Sequence, residues 1–493
     1  MHASALLFSV AQLGLLLALA CLSLLSLNLV VLTVLYAIGR SRARLPVAAS
    51  PAALPRDLPH VLVQLPVFNE CGVVERALEA AAALDWPRDR LRIQLLDDST
   101  DAEAIAVAAE IVARLQQQGV RVEHLHRQNR VGFKAGAMAA GLTRDASPFV
   151  AVFDADFTPP RDFLQRAVAT LLGDEMLGFA QGRWEHQNAS ENFLTRAQAM
   201  MLDGHFGIEQ PARSMSGLVL PFNGTCGVWR RSAIETAGGW SSDTLCEDLD
   251  LSVRARLAGW RAVFLPDLSV PGELPPTLAA WRTQQFRWTK GFAQVAKKLI
   301  GRVWRADLPL AAKVAFTLQT AQPMCFPLAA ASLLGSLVML LVETVRPGTT
   351  TSIGLALMSV GFLGSFVFVA AGQAALGRGG WLVFLWRYVT ILLLNSGLVL
   401  SNTRAVIEGL LGKRSPFVRT PKRGGNGRIA YERGGPTGAG ELVCGLTLGG
   451  AMIHEAGWIA PLFSLSILGL GLVGLGLARE RVLANSRRRQ SSM

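Results

Sequence analysis

The sequence has few cysteines, and their spacing excludes the usual cysteine chemistry. None of the six forms a C-x-x-C pair, and three lie in stretches apolar enough to cross a membrane. The sequence therefore predicts neither a zinc site nor a disulfide framework. Lysine and arginine are absent ahead of the first apolar stretch, 5–38, which is far longer than the core of a signal peptide. We expect a retained transmembrane helix in residues 1–40.

The composition is too apolar for a purely soluble enzyme and too charged for a pure transporter. Of the 493 residues, 51% are hydrophobic and 17% are charged. We therefore expect one large soluble domain and several membrane spans. Arg40, Arg42 and Arg44 follow the first span and predict that the next domain is cytoplasmic. The net charge of +12 lies near the apolar segments, which favours contact with anionic lipid headgroups over nucleic-acid binding.

Residues 50–275 alternate short apolar runs with helical patterns, which is typical of a βαβ sheet. We predict strands at 60–65, 91–96, 120–125 and 149–153. Because the carboxyl ends of parallel strands meet at one edge of a sheet, the polar loops after three of these strands should converge there. These loops carry Asn69 and Glu70, Asp97 and Asp98, and Asp154 and Asp156.

The pair Asp154 and Asp156 ends the fourth predicted strand in the sequence F-D-A-D-F. An isolated pair of this kind is more often a capped turn than a binding site. One intervening residue also lets both carboxylates approach a hard divalent cation, with phosphate oxygens of a ligand completing its shell. The convergence of three polar loops favours the second interpretation.

Two further segments admit a functional and a structural interpretation. Lys134 lies at the start of a predicted helix, among alanine and glycine residues. It is either a solvated lysine or a cation that holds a diphosphate, and its small neighbours favour the second interpretation because they allow close approach of the backbone. The stretch T-L-C-E-D-L-D-L (244–251) opens another helix. Asp250 fits a helix cap there, whereas Glu247 and Asp248 are candidates for a general base that takes a proton from a hydroxyl group.

The sequence Q-Q-F-R-W (284–288) lies in an amphipathic stretch, 278–300. Trp288 is either a residue of the membrane-interface belt or a platform that stacks against a sugar ring. In the second case Gln284 and Arg287 would donate hydrogen bonds to phosphate.

Eight short motifs occur in one order along the chain: D-D-S-T-D, K-A-G-A, F-D-A-D-F, Q-G-R-W, F-N-G-T-x-G-V-W-R, A-G-G-W, E-D-L-D-L and Q-Q-F-R-W. With them the sequence resembles the family-two processive β-glycosyltransferases of the cellulose synthase superfamily, in particular the cellulose-synthase-like mannan and glucan (glucomannan) synthases. The resemblance covers about residues 58–300 and extends to F-V-R-T-P-K (417–422).

The resemblance implies an α/β nucleotide-sugar-binding domain of GT-A type, inserted between transmembrane helices, and a role for each motif. Asp97 and Asp98 would contact the nucleotide, Lys134 the phosphates, and Asp154 and Asp156 the donor diphosphate together with a Mg²⁺ or Mn²⁺ ion. Asp248 would be the catalytic base. Gln284 and Arg287 would hold the pyrophosphate, and Trp288, Glu247 and Cys226 would lie at the acceptor site.

The apolar segments after residue 300 admit two arrangements. If 323–345, 353–376 and 381–400 all crossed the membrane, the basic loop 404–433 would lie outside, against the positive-inside rule. We therefore predict that 381–411 is an interfacial or re-entrant helix, which gives about five spans. The predicted order is interfacial amphipathic helices in 276–322, two spans in 323–376, the interfacial helix and a cytoplasmic gating loop in 381–440, two short spans in 441–478 and a basic cytoplasmic tail in 479–493.

The resemblance implies a hexosyltransferase that inverts its donor, builds a β-linked (β-1,4) mannan, glucomannan or glucan, and passes the polymer through its own spans. Its partners would be a nucleotide sugar, the growing glycan and the lipid bilayer. GDP-mannose and UDP-glucose stay equally open as donors, because both present the same diphosphate to the same metal. The expected location is a bacterial inner membrane or a Golgi-like equivalent, with the catalytic domain in the cytoplasm.

Two other functions remain open on the sequence alone. A non-processive transferase would add one sugar to a lipid of the ceramide or polyprenol type, using similar acidic motifs. A transporter with a ligand-binding domain would have no catalytic activity, and it would leave the ordered acidic motifs without a purpose.

Overall fold

The structure is a computed structural model that describes residues 2–42, 45–342, 349–413, 438–454 and 460–491. Residues 61–272 contain seven strands that form one sheet. The strands are β1 (Val61–Val67), β2 (Leu91–Asp97), β3 (Val122–His126), β4 (Phe149–Val152), β5 (Leu177–His186), β6 (Gly227–Arg230) and β7 (Arg261–Gly272).

The strands lie in the order β3-β2-β1-β4-β6-β5-β7. The four strands predicted from the sequence are mutually parallel, as expected. The strand β6 runs antiparallel between β4 and β5, and β7 pairs parallel with β5, so the complete sheet is mixed. The loops after β1, β2 and β4 therefore leave the same edge of the sheet.

Helices cover both faces of the sheet, which explains why β4 is a continuous apolar run and why β1 is apolar except for the buried Gln64. One face packs against helices Val74–Ala82, Ala102–Gln117 and Phe163–Leu172. The other face packs against helices Phe133–Leu142, Arg231–Thr236 and Glu247–Leu257. Two short helices, Phe193–Gly204 and Gln210–Met215, are joined by a π-helical turn, His205–Glu209.

Most of the remaining helices are apolar, whereas Leu278–Arg305 is amphipathic. The first of the apolar helices packs against the two that follow residue 324. Ser23 and Ser26 of the first helix donate hydrogen bonds to the carbonyl oxygens of Leu357 and Gly361. The remaining helices are His2–Ser41, Leu278–Arg305, Leu310–Ala321, Cys325–Val342, Thr349–Ala375, Trp381–Gly397, Val399–Leu411, Ala439–His454 and Ala460–Ser491.

Three segments of the described residues are long and apolar enough to cross a membrane: Phe8–Ser41, Leu310–Met339 and Ser352–Ala375. The second begins at Leu310, earlier than the predicted start at Pro323, because the chain passes Pro323 in a short 3₁₀ turn, Gln322–Met324, that needs no hydrogen bond from proline.

The segment 381–411 consists of two helices that meet at an angle of 53°. A bend of this size fits either a broken span, which would make a fourth crossing, or the re-entrant arrangement predicted above. The two short spans predicted in 441–478 coincide with helices Ala439–His454 and Ala460–Ser491, which are not among the three candidates. Five spans therefore stay a prediction, and the predicted gating motif 417–422 lies outside the described residues.

Candidate active site

A cleft opens at the carboxyl edge of β1, β2 and β4, where the three polar loops converge as predicted. Register explains the convergence, because Val67 at the end of β1 is paired with Asp97 at the end of β2, and β4 lies beside β1 on its other side. Most of the predicted site residues line this cleft. They are Asp98, Lys134, Asp154, Asp156, Glu247, Asp248, Gln284, Arg287 and Trp288.

Lys134 binds one carboxylate of the F-D-A-D-F motif. Its Nζ lies 2.5 Å from Asp154 Oδ1 and donates a second hydrogen bond to the carbonyl oxygen of Gly224, at 2.8 Å. Burial lowers the pKa of Lys134, but the charges of Asp154 and Glu247 outweigh this effect and raise the pKa above its ordinary value. The lysine therefore stays protonated and can meet a phosphate group as a cation.

Asp154 and Asp156 fit a divalent cation that arrives with further oxygen ligands. Both side chains line the cleft. The Asp154 amide donates a hydrogen bond of 2.8 Å to Thr225 Oγ1, which holds the turn that follows β4. Within the described ranges no group of three or more histidine, cysteine or acidic residues could hold a metal ion. Two carboxylates with water and phosphate oxygens are the usual ligand set of Mg²⁺, so this donor set suits a cation bound through a diphosphate.

Asp248 lines the same cleft, in the first turn of helix Glu247–Leu257. Burial and the neighbouring charge of Glu247 raise the pKa of Asp248 to about 7, although the amide of Leu249 donates a hydrogen bond to Oδ1 at 2.8 Å. A carboxylate with a pKa close to the working pH is well matched to general-base catalysis.

Gly224 brings Lys134 and Asp248 close together. It has a φ of +80°, and a Cβ at this position would lie 2.9 Å from Asp248 Oδ2 and 3.5 Å from Lys134 Nζ. Only glycine fits there, because the backbone conformation is left-handed and the Asp248 carboxylate fills the space of a side chain.

The helix Leu278–Arg305 forms a further wall of the cleft. Arg287 and Trp288 follow Gln284 by three and four residues, so all three side chains project from one face of the helix into the cleft. The motifs that are furthest apart in the sequence thus meet in space.

Two predicted site residues do not line the cleft. Asp97 is only 1% exposed and lies below it, where it accepts hydrogen bonds from the Ser99 amide and pairs with His124 Nε2 at 2.8 Å. Burial raises the pKa of Asp97, but the hydrogen bonds from His124 and Ser99 hold it below its ordinary value. Asp97 thus braces the loop, and only Asp98 reaches the surface of the cleft.

Cys226 is fully buried in the core between sheet and helices, and burial raises the pKa of its thiol well above the ordinary value. Its predicted place at the acceptor site is therefore corrected: the residue packs behind the loop and leaves Asn223 and Gly224 to face the cleft.

The cleft also contains residues that the sequence patterns did not single out. Arg127 binds Asp98 through two hydrogen bonds of 2.7 and 2.6 Å, and the Arg130 guanidinium lies 3.3 Å from the centroid of the Phe68 ring. Phe68 and Arg130 both line the cleft beside Asp98. The R-x-x-R spacing ahead of K-A-G-A was a usable signal for them.

A second unpredicted group closes the cleft on the side of the apolar helices. Glu185 and His186 of β5 line it, and Glu185 forms ion pairs with Arg183 and with Arg378, which follows helix Thr349–Ala375. The sequence carries no signal for these contacts, because Glu185 and Arg378 are joined only by the packing of the apolar helices against the sheet.

The sequence profile of the family described as "Glycosyltransferase like family 2" matches residues 59–291, the range that contains the sheet and all the cleft-lining motifs. Glucomannan 4-beta-mannosyltransferase 2 of Arabidopsis thaliana is 44% identical over 252 residues, which are 50% of this chain and 47% of that protein. Glucomannan 4-beta-mannosyltransferase 1 of Cyamopsis tetragonoloba is 45% identical over 247 residues, 50% of this chain and 47% of that protein. The chain spans about half the length of these curated relatives.

Among solved structures, the mannosyltransferase PcManGT of Pyrobaculum calidifontis in complex with GDP-Man and Mn²⁺ has a similar fold. Its TM-score is 0.52 at 20% sequence identity, over 80% of this chain and 100% of that chain. This likeness confirms the predicted GT-A type α/β fold of the soluble domain, and the profile and the plant relatives confirm the resemblance carried by the ordered motifs. Residues 59–291 therefore form a glycosyltransferase domain of family two, and this part of the chain is similar to the glucomannan 4-beta-mannosyltransferases of plants.

Proposed function

We propose that this protein is a membrane-embedded, inverting hexosyltransferase that elongates a β-1,4-linked mannan or glucomannan from a nucleotide sugar. The observation that carries the proposal is the cleft itself. It brings a candidate metal-diphosphate pair, Asp154 and Asp156, a protonated lysine, Lys134, and a carboxylate with a pKa of about 7, Asp248, to one space. The names of the plant relatives support mannosyl transfer to a β-1,4 glycan.

The donor would be GDP-mannose or UDP-glucose, with GDP-mannose the first to test because of the relatives' names. Asp154 and Asp156 would hold a Mg²⁺ or Mn²⁺ ion, which would supply Lewis-acid stabilisation of the diphosphate. The structural neighbour from Pyrobaculum calidifontis carries GDP-Man and Mn²⁺. Lys134, Gln284 and Arg287 would bind the phosphate oxygens, and the charge of Lys134 would stabilise the departing diphosphate.

Asp248 would act as the base. Its carboxylate would accept the proton of an acceptor hydroxyl while that oxygen attacks the anomeric carbon on the face opposite the diphosphate. One displacement of this kind converts an α-linked donor into a β-linkage. Trp288 would stack against the acceptor sugar and keep its hydroxyl within reach of Asp248.

Translocation of the polymer through the protein's own helices is part of the proposal. It is supported by the position of Leu278–Arg305, which lies between the cleft and the apolar helices and contacts helices Val399–Leu411 and Ala460–Ser491. The acceptor side of the cleft would then face the apolar part of the protein.

The test is a transfer assay with the purified full chain in detergent or nanodiscs. GDP-mannose and UDP-glucose are supplied separately with Mn²⁺ or Mg²⁺, and released nucleoside diphosphate and product size are measured. We expect a ladder or a high-mass polymer that endo-β-1,4-mannanase degrades. A single lipid-linked sugar would show instead the non-processive alternative, and no nucleoside diphosphate from either donor would contradict a transferase.

A further inference from the structure

The face of helix Leu278–Arg305 that lines the cleft continues beyond it and touches the loop that leads to the proposed base. Trp288, Gly291, Gln294 and Lys298 follow each other at spacings of three, three and four residues, so they lie along one side of the helix. Trp288 faces the cleft, and the next three residues contact the loop 243–246 or the helix after it.

Gln294 and Gly291 fix the end of this loop. Gln294 Oε1 accepts a hydrogen bond of 2.9 Å from the amide of Leu245. Cys246, the next residue, packs on Gly291 so closely that a Cβ there would lie 2.3 Å from its Sγ. The two residues that immediately precede Glu247 are therefore set by the helix.

Lys298 bridges acids on both sides of Asp248. Its Nζ donates a hydrogen bond of 2.8 Å to Asp243 Oδ1 and lies 2.7 Å from Asp250 Oδ1. Asp250 is fully buried and already has a cationic partner, Arg254, at 2.7 Å. Lys298 is thus not needed to neutralise Asp250, and its pair with the exposed Asp243 adds little stability. Lys298 instead fixes the distance between the loop 243–246 and the helix Leu278–Arg305.

We propose that Lys298 and Gln294 are positioning residues for the transfer reaction: they hold the Asp248 carboxylate at a set distance from Gln284, Arg287 and Trp288 on the same helix. The inference rests on the proposed function. Without these two contacts the loop would keep its fold but gain freedom to shift, and a displacement of about 1 Å between base and acceptor lowers a rate by as much as ~100-fold.

The experiment compares Lys298→Met, Gln294→Ala and Lys298→Arg with the wild type in the full chain. Arg302→Met is the matched control, because Arg302 lies one turn further on the same helix, is exposed and carries the same charge. The kcat at saturating donor, the KM for the donor and the dissociation constant of the free nucleoside diphosphate are measured. We expect Lys298→Met and Gln294→Ala to lower kcat about 10- to 100-fold, with donor KM and nucleoside diphosphate binding within twofold of the wild type.

Rescue separates positioning from a general structural role. Lys298→Arg keeps the charge and the donors and should recover most of kcat, and Arg302→Met should match the wild type. A kcat of Lys298→Met equal to that of Arg302→Met, or a fall that Lys298→Arg does not reverse, would overturn the inference while leaving the proposed function intact. If Lys298→Met does not fold, Gln294→Ala decides alone, since it removes one hydrogen-bond acceptor and no charge. A wild type that transfers no sugar from either donor would overturn the proposed function and this inference with it.

Discussion

Lys134 and Asp154 form an ion pair in which Nζ lies 2.5 Å from Oδ1. The same ammonium group binds the carbonyl oxygen of Gly224, whose loop also touches Asp248. Lys134 therefore links the strand end that would hold the donor with the loop beside the proposed base. A bound diphosphate would add negative charge next to a lysine that two carboxylates already keep protonated.

Replacing Lys134 with methionine should lower kcat/KM about 100-fold or more, because the charge on the departing diphosphate loses a fixed cation. Initial rates over a range of donor concentrations measure the change. Lys313→Met is the control, since Lys313 lies in helix Leu310–Ala321 and donates a hydrogen bond to the carbonyl oxygen of Trp304. Activity of Lys134→Met within twofold of the control would remove Lys134 from the site.

The dependence on a divalent cation tests the F-D-A-D-F pair. Chelation with EDTA should abolish transfer, and added Mn²⁺ or Mg²⁺ should restore it. In Asp154→Asn and Asp156→Asn the metal concentration for half-maximal activity should rise about 10-fold or more, because each change removes one anionic oxygen ligand. Asp162→Asn, at the nearby start of helix Phe163–Leu172, is the control. An unchanged metal requirement in both variants would show that the pair only caps its turn.

The parallel half of the sheet and most of the cleft were predictable from the sequence, because both depend on local patterns. Strand runs that end in acidic loops identify the edge of the sheet, and Asp98, Asp154 and Asp248 follow from it. Burial is not local in this sense. Asp97 and Asp98 are neighbours in one motif, yet Asp97 is buried against His124 whereas Asp98 lines the cleft. The burial of Cys226 likewise depends on packing and cannot be predicted from its motif.

Asp248 and Asp250 should respond in opposite ways to the same substitution. Asp248→Asn should abolish most transfer but keep or raise the thermal stability at pH 8, because a carboxylate with a raised pKa costs stability above its unfolded pKa of about 3.9. Asp250→Asn should destabilise the protein by about 3–5 kcal/mol, because it removes a fully buried partner of Arg254 and Lys298. Thermal unfolding and transfer assays of both variants measure this. Near-normal transfer by folded Asp248→Asn would disprove its role as base.

The pH dependence of the reaction follows from the same carboxylate. Protonated Asp248 cannot accept the proton of a hydroxyl group, so kcat/KM should rise about tenfold per pH unit below pH 7 and level off above it. Binding of the free nucleoside diphosphate is measured over the same pH range, which shows whether the rise in kcat/KM reflects the base or the binding of the donor. A rate that stays constant between pH 5.5 and 8 would contradict a base with this pKa.

The last prediction concerns Arg378, which lies where the cleft meets the apolar helices. Its Nη1 lies 3.1 Å from Oδ1 of Asp203, which is 3% exposed and also accepts a hydrogen bond of 2.8 Å from Gln373. Burial raises the pKa of Asp203 to about 6 in spite of Arg378 and Gln373, whereas burial lowers the pKa of the adjacent His186 to about 4. With Arg378 in place the histidine is therefore neutral at pH 8, and Arg378 supplies the positive charge beside Asp203.

In Arg378→Gln the charge of Asp203 would be left buried without its cation. At pH 8, where Asp203 is ionised, we expect a loss of about 3–5 kcal/mol of stability. At pH 5 the carboxyl binds a proton in the folded protein, so the loss should be clearly smaller; the sign follows from a folded-state pKa that lies above the unfolded value and rises further without Arg378. Thermal unfolding at both pH values measures this difference. Arg302→Gln, which removes an exposed arginine, should shift neither curve, and equal losses for Arg378→Gln at pH 5 and pH 8 would show that the arginine acts through packing and through Glu185 alone.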